Sequence, residues 1–207
     1  MFEIERKFRC PDALQARITS TAQLLGVTTF SDTYFDTASI DLTRADRWLR
    51  RRGGWELKLP LSGDGQNSND DRIDRYREIA DEEVIRATLG LPNRNGINLE
   101  TALADAGCIP FCSLTTRRAK YRLRGIYTLD FDTVTAPGFF YQVAEVEVMV
   151  SDPDAIHEAD TLLDNFIREY NIPQTRVSGK VIEYLRRHDP AHYAALVTAG
   201  VVKEAQT

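Results

Sequence analysis

The sequence predicts an α+β fold in which strands pair antiparallel into a sheet and helices pack against its apolar side. Three observations carry this. Strand-like segments come in clusters joined by short turn-like breaks, which favours hairpins over crossover connections. Several of these segments alternate charged and apolar residues with period two. Helical periodicity falls in separate stretches, not between every pair of strands.

The first segment, 2–9, holds Glu3-Ile4-Glu5-Arg6-Lys7, and period two turns Glu3, Glu5 and Lys7 to one face and Ile4 and Phe8 to the other. A helix is predicted over 11–25. Strand patterning resumes at 29–36, 46–52 and 55–60, with Gly53-Gly54 as the turn between the last two. The stretch 61–71, rich in Gly, Ser, Asn and Asp, is a flexible loop and not a domain linker, because strand patterning continues at 75–79. Helices are predicted over 81–89 and 97–106. Three strands follow at 113–123, 126–134 and 139–150, the first two parted at Gly125. Helices at 153–170, 178–187 and 190–199 come last. No internal repeat is visible, and 207 residues suit a single domain, 1–207, that includes the C-terminal helices at about 178–200.

Composition narrows the function classes. With 43% hydrophobic and 28% charged residues the chain reads as soluble and globular. A net charge of −5 argues against nucleic-acid partners, and no apolar run approaches the roughly 18 residues of a membrane span. Cys10, Cys108 and Cys112 form no C-x-x-C pair, and only His157, His188 and His192 are available to complete a zinc site, so a structural zinc is not expected. The odd cysteine count and the lack of a signal-like start point to a reducing, cytoplasmic setting, and the chain is expected to be monomeric. His157 lies in an acidic helical stretch and reads as a surface residue.

Charge is segregated along the strands. Arg44, Arg47, Arg50, Arg51, Arg52 and Lys58 crowd 44–58, and Arg117, Arg118, Lys120, Arg122 and Arg124 crowd 117–124. By period two Trp48, Arg50 and Arg52 share a face, as do Arg118, Lys120 and Arg122, while Asp130 pairs with Asp132 and Glu145 with Glu147. Opposite Glu145 and Glu147 stand Ala144, Val146, Val148 and Val150, a surface for helices to cover. A closed sheet would then enclose a polar lumen. Unpaired charges in such a lumen cost several kcal/mol each, so acids and bases must neutralise one another or receive a charged ligand. Hard carboxylate oxygens suit Mg²⁺ or Mn²⁺, and guanidinium and ammonium groups suit phosphate, so the combination fits a metal-bound polyphosphate.

Taken in order, Glu3-x-Glu5-x-Lys7, Trp48-Leu49-Arg50-Arg51-Arg52, Lys58, Glu78, Arg118, Asp130, Glu145-Val146-Glu147 and Lys180 resemble the signature of the CYTH superfamily, the triphosphate tunnel metalloenzymes. The segments Ile4–Phe8, Asp32–Thr37, Ala45–Arg52, Gly54–Lys58 and Leu129–Thr133 are most similar to the thiamine-triphosphatase branch, whereas 61–71 and 93–112 depart from it. The resemblance implies an eight-stranded antiparallel β-barrel, the triphosphate tunnel, with helices packed outside. It implies hydrolysis of the terminal phosphate of a small-molecule triphosphate, with thiamine triphosphate foremost, and Mg²⁺ or Mn²⁺ as cofactor. Glu3, Glu5, Asp130, Glu145 and Glu147 would hold metal. Lys7, Arg50, Arg52, Lys58, Arg118, Lys120 and Lys180 would grip phosphate, and Glu78 would orient a basic neighbour or touch a second ion. The chemical step falls to Glu5, Glu147 and Lys58, with either glutamate as proton acceptor.

Trp48 shares the face of Arg50 and Arg52, where its indole would stack on a thiazolium cation or a base, or serve as core packing. Ser178-Gly179-Lys180 echoes the end of a P-loop, but Gln174 stands where the first glycine belongs, so that motif is absent. Lys180 is instead expected in the first turn of a helix. The same tunnel chemistry also serves inorganic triphosphatases and class IV adenylyl cyclases, and a binding module without turnover would use the same charges.

Overall fold

The computed structural model describes residues 2–61, 73–93 and 96–202. The strands are β1 (Phe2–Phe8), β2 (Gln23–Asp36), β3 (Trp48–Arg52), β4 (Gly54–Pro60), β5 (Ile73–Ile79), β6 (Ile109–Leu123), β7 (Tyr127–Ala136) and β8 (Phe139–Val150). Between and after them lie α1 (Asp12–Thr19), α2 (Asp41–Arg44), α3 (Glu82–Thr88), α4 (Leu99–Asp105), α5 (Ile156–Glu169), α6 (Lys180–His188) and α7 (Pro190–Thr198). All strand pairs are antiparallel, and the sheet closes in the order β1-β5-β4-β3-β2-β6-β7-β8 because β1 pairs with both β5 and β8. The eight-stranded barrel expected from the sequence is therefore present. Among the described residues no helix is long and apolar enough to cross a membrane.

Local chemistry sets the turns. Gly53 joins β3 to β4 at φ 71°, a left-handed conformation that any Cβ would strain. Between β6 and β7, Arg124 and Gly125 both have positive φ and Ile126 N donates to Leu123 O at 3.2 Å, the primed turn whose twist matches that of paired strands.

Outside the barrel, α5 buries Ala159, Leu163, Phe166 and Ile167, a single helical stripe, against Ile4, Phe8, Leu129, Val146 and Val148. Each large side chain buried there contributes roughly 1.5–3 kcal/mol. A second outer cluster sets Ile85 of α3 and Leu99 and Leu103 of α4 on Leu49, Trp55 and Leu57. The C-terminal helices behave differently. Val134, Tyr141 and Val143 continue the register faces of Asp130 and Glu145, and Val181, Leu185 and Leu196 pack on them. Helices α6 and α7 thus cover an apolar continuation of the inner face and close one end of the lumen.

Several predicted boundaries move. The helix expected over 11–25 ends at Thr19, and Gln23–Leu25 open β2, which starts well before residue 29. Leu24 and Leu25, which extended the apparent helical pattern, lie exposed on the long β2–β6 ribbon. Helix α2 went unpredicted because four residues are too short to show a period. Asp36 holds it by accepting from Leu42 N at 2.9 Å and Thr43 N at 2.8 Å. The strand placed at 46–52 begins at Trp48, since Asp46 has φ 55°. Strand β6 begins at Ile109, before residue 113, and takes Pro110 in beside a register shift at Tyr34/Phe35, where the ladder is already interrupted. The 61–71 loop falls, apart from Leu61, outside the described residues.

Candidate active site

The barrel encloses a cavity of about 860 Å³. Glu3, Glu5, Lys7, Trp48, Arg50, Arg52, Lys58, Glu78, Arg118, Lys120, Glu145, Glu147 and Lys180, all singled out from the sequence, line it. Asp130 stands behind this wall, fully buried. Adjacent strands bring the residues together: Asp130 pairs with Glu145 across β7–β8, Glu147 with Glu5 and Glu145 with Lys7 across β8–β1, and Lys120 with Asp130 across β6–β7.

The expected neutralisation is realised through ion pairs within the lumen. Lys58 Nζ donates to Glu3 at 2.5 Å and lies 3.5 Å from Glu78. Lys7 bonds Glu5 and reaches Asp74 at 2.6 Å. Arg50 donates to Glu56 at 2.7 Å and to Glu78 at 2.9 Å, so Glu78 sits between two bases. Arg52 grips Asp32 with two bonds of 2.5 and 3.1 Å, and Lys180, from the first turn of α6, meets the same carboxylate at 2.5 Å. Gly179 precedes that turn, and a Cβ there would stand 3.3 Å from Lys7 Cε. Arg118 is bidentate to Asp132 at 2.7 and 2.6 Å, bonds Asp130 and reaches Glu145 at 3.3 Å.

Pairing does not cover every acid equally. Ligand atoms of Asp130, Glu145 and Glu147 all lie within 4.8 Å of one another. Burial, and then the Asp130 charge, push Glu147 up to about 8. Burial and the nearby Glu5 raise Glu145 as well. Glu3 rises to about 7 through burial and Glu5, despite Lys58. Glu5 is the opposite case: burial would raise it, but Lys7 and Lys58 hold it near 2. The bases respond in kind: in spite of burial, Lys7, Lys58 and Arg118 are held above their ordinary range by facing carboxylates, and Arg50 by Tyr34 and then by Glu56, Asp32 and Glu78.

The three clustered carboxylates fit a hard divalent cation. They offer oxygen donors only, and Asp130 Oδ1 is buried with no hydrogen-bond partner among the described residues. Glu3 and Glu5 line the same lumen one strand away but are bonded to lysines and stand outside that three-residue group.

Sequence reasoning missed several participants. Asp32, fully buried between Arg52 and Lys180, shares its strand face with Tyr34, and period two along β2 was the signal for it. Asp132 was placed on the lumen face but given no role, yet it is the bidentate anchor of Arg118. Glu56 and Asp74 hold Arg50 and Lys7. The same alternation along β2 puts Phe30 on the face of Asp32, and its ring has Arg52 at 3.9 Å, Lys180 at 5.2 Å and Arg118 at 5.6 Å. Trp48 lines the cavity and donates through Nε1 to Asp46 at 2.8 Å, whereas Trp55 packs in the outer core.

Comparison with known proteins places this geometry. The CYTH domain matches residues 1–177. The thiamine-triphosphatase of Macaca fascicularis is 31% identical, over 99% of this chain and 93% of its own length. A solved structure from Pyrococcus horikoshii OT3 superposes with a TM-score of 0.56 at 22% identity, covering 89% of this chain and 98% of that one. A candidate adenylyl cyclase from Hippeastrum, whose structure was described with a dominant triphosphatase activity, superposes at 0.52 with 20% identity over 89% and 95% of the two chains. The two structural matches speak for the fold alone.

Proposed function

The chain belongs to the CYTH domain family, and from that premise we propose that it hydrolyses the terminal phosphoanhydride of a triphosphate, with thiamine triphosphate as preferred substrate. The observation that carries this reading is the pairing in the lumen: basic groups held by carboxylates, beside three clustered acids with an orphaned oxygen. A triphosphate with its cation would offer new partners to both sets. Phosphate oxygens take the place of carboxylates on Lys7, Arg50, Arg52, Lys58, Arg118, Lys120 and Lys180. Asp130, Glu145 and Glu147, with Glu3 and Glu5 beside them, would hold Mg²⁺ or Mn²⁺. When bound, the ion supplies neutralisation of phosphate charge and polarisation of the bond to be broken.

The protein's own groups do the positioning. Glu78 orients Arg50 and Lys58 toward the substrate, and Lys58 meets the terminal phosphoryl as a point charge. Arg50, Arg52 and Arg118 stabilise charge spreading over phosphoryl oxygens in the transition state, and Glu5 or Glu147 accepts the proton of the attacking water. Trp48 stacks on the organic cation. The same reading takes 1–207 as one domain, and the bond from Lys180 of α6 to Asp32 of β2 supports it.

The test is phosphate release from thiamine triphosphate, inorganic triphosphate and ATP, with Mg²⁺ and Mn²⁺ separately, the ATP products also being assayed for cyclic AMP. Metal-dependent release, fastest from thiamine triphosphate, is expected. Release from none of the three overturns hydrolysis, and cyclic AMP as the main ATP product moves the chain to the cyclase class.

A further inference from the structure

Resting on the triphosphatase reading, we propose that Asp46 is a specificity-determining residue that reads a positively charged organic group on the substrate. The cavity, at about 860 Å³, lies within the range of roughly 300–1,000 Å³ that holds drug-sized ligands, so an organic group has room beside the phosphates. Asp46 lines it next to Trp48 and Tyr76.

Its bonding sets it apart from the other lumen acids. Glu3, Glu5, Asp32, Glu56, Asp74, Glu78, Asp130, Asp132, Glu145 and Glu147 each have a Lys or Arg within 4 Å. Asp46 has none among the described residues. Its Oδ1 accepts from two neutral donors, Trp48 Nε1 at 2.8 Å and Tyr76 OH at 3.0 Å, and its Oδ2 makes no hydrogen bond or ion pair among the described residues. Arg176 also lines the cavity; it lies 3.7 Å from Asp74, and its charge acts on Asp46 as well, though not within ion-pair distance.

Asp46 takes φ 55°, a left-handed conformation that aspartate tolerates better than most residues, and its N–H is tied to Thr43 O at 3.0 Å, which fixes its place beside Trp48. A carboxylate with no Lys or Arg within 4 Å among the described residues, faced only at longer range by Arg176, opposes the entry of a polyphosphate and so has no use in anion binding alone. Next to an indole and a phenol it makes the environment that binds organic cations, where aromatic faces and a negative charge act together. A thiazolium ring entering with its phosphates toward the arginines would meet Trp48 and Asp46 on its way.

Asp46→Asn separates charge reading from the simpler role of holding the Trp48 indole, because the amide oxygen still accepts from Trp48 and Tyr76 while the charge is gone. Calorimetric affinities would be compared for thiamine diphosphate and for its neutral isostere with thiophene in place of thiazolium. The wild-type protein is expected to prefer the cationic compound by about tenfold or more, and the variant to lose most of that preference. A wild-type protein that binds the two compounds equally overturns the proposal, whatever the variant's stability. So does a variant that keeps the full preference. Because the readout is binding, failure of hydrolysis in the substrate panel is registered separately.

Discussion

Arg118→Met probes the charge balance of the lumen most directly. The guanidinium is bidentate to Asp132 and bonded to Asp130 and Glu145, and its side chain is 14% exposed against 0% for Asp130 and 1% for Asp132. Methionine keeps the stem and removes the charge, so Asp132 loses its ion pair and Asp130 keeps only Lys120 at 3.1 Å. Breaking a buried ion pair by removing one partner costs about 3–5 kcal/mol. At about 2–4 °C per kcal/mol for a chain of this size, the melting temperature without metal should fall by about 6–20 °C. Mg²⁺ should then stabilise the variant more than the wild type, because a divalent ion supplies the positive charge that was deleted. Metal at 100-fold over its dissociation constant returns about 2.7 kcal/mol. Scanning calorimetry with EDTA and with Mg²⁺ measures both quantities. A fall under about 2 °C, or a Mg²⁺ shift no larger than in the wild type, refutes the idea that Arg118 and metal serve the same carboxylates.

Glu5→Gln and Glu147→Gln should each cut phosphate release by about 100-fold or more while the circular dichroism spectrum stays that of the folded barrel; retained turnover in either removes that residue from the site. Asp32 is held near 2 by Arg52 and Lys180 in spite of burial, so its stabilising contribution, about 2 kcal/mol, is complete above the ordinary aspartate pKa of about 3.9 and is lost as pH falls through 2. Acid titration of wild type and Asp32→Asn should therefore converge between about pH 4 and pH 2, and parallel curves would contradict the pairing. Trp48→Ala should lower kcat/KM for thiamine triphosphate about tenfold more than for inorganic triphosphate, and an equal loss on both would assign the indole to packing.

Period two exposed the lumen in the sequence because the closed barrel lets one face of each strand see the same cavity. Glu145 and Glu147, Arg50 and Arg52, and Arg118 and Lys120 were therefore legible as facing walls before any pairing was known. The same rule held a signal that went unused. On β7 and β8 the inner face runs on from Asp130 and Asp132 to Val134, and from Glu145 back to Val143 and Tyr141, so the charged lining gives way to apolar residues at one end. Such a face inside a barrel must be covered, and the amphipathic α6 and the largely apolar α7 were the segments left to cover it.

Alternation along one strand cannot reveal bonds that depend on partners distant in sequence. Asp32 is 148 residues from Lys180, and Asp46 is 30 from Tyr76. Asp46 also sits outside any strand, at a φ that breaks the alternation. Which carboxylates have a Lys or Arg within 4 Å, and which one among the described residues has none, is a property of the closed barrel. The distinction has functional weight because a lumen neutral at every position would admit any condensed phosphate equally. Its one acid without a basic partner among the described residues stands beside an indole, where discrimination among triphosphates by their organic group has a physical basis.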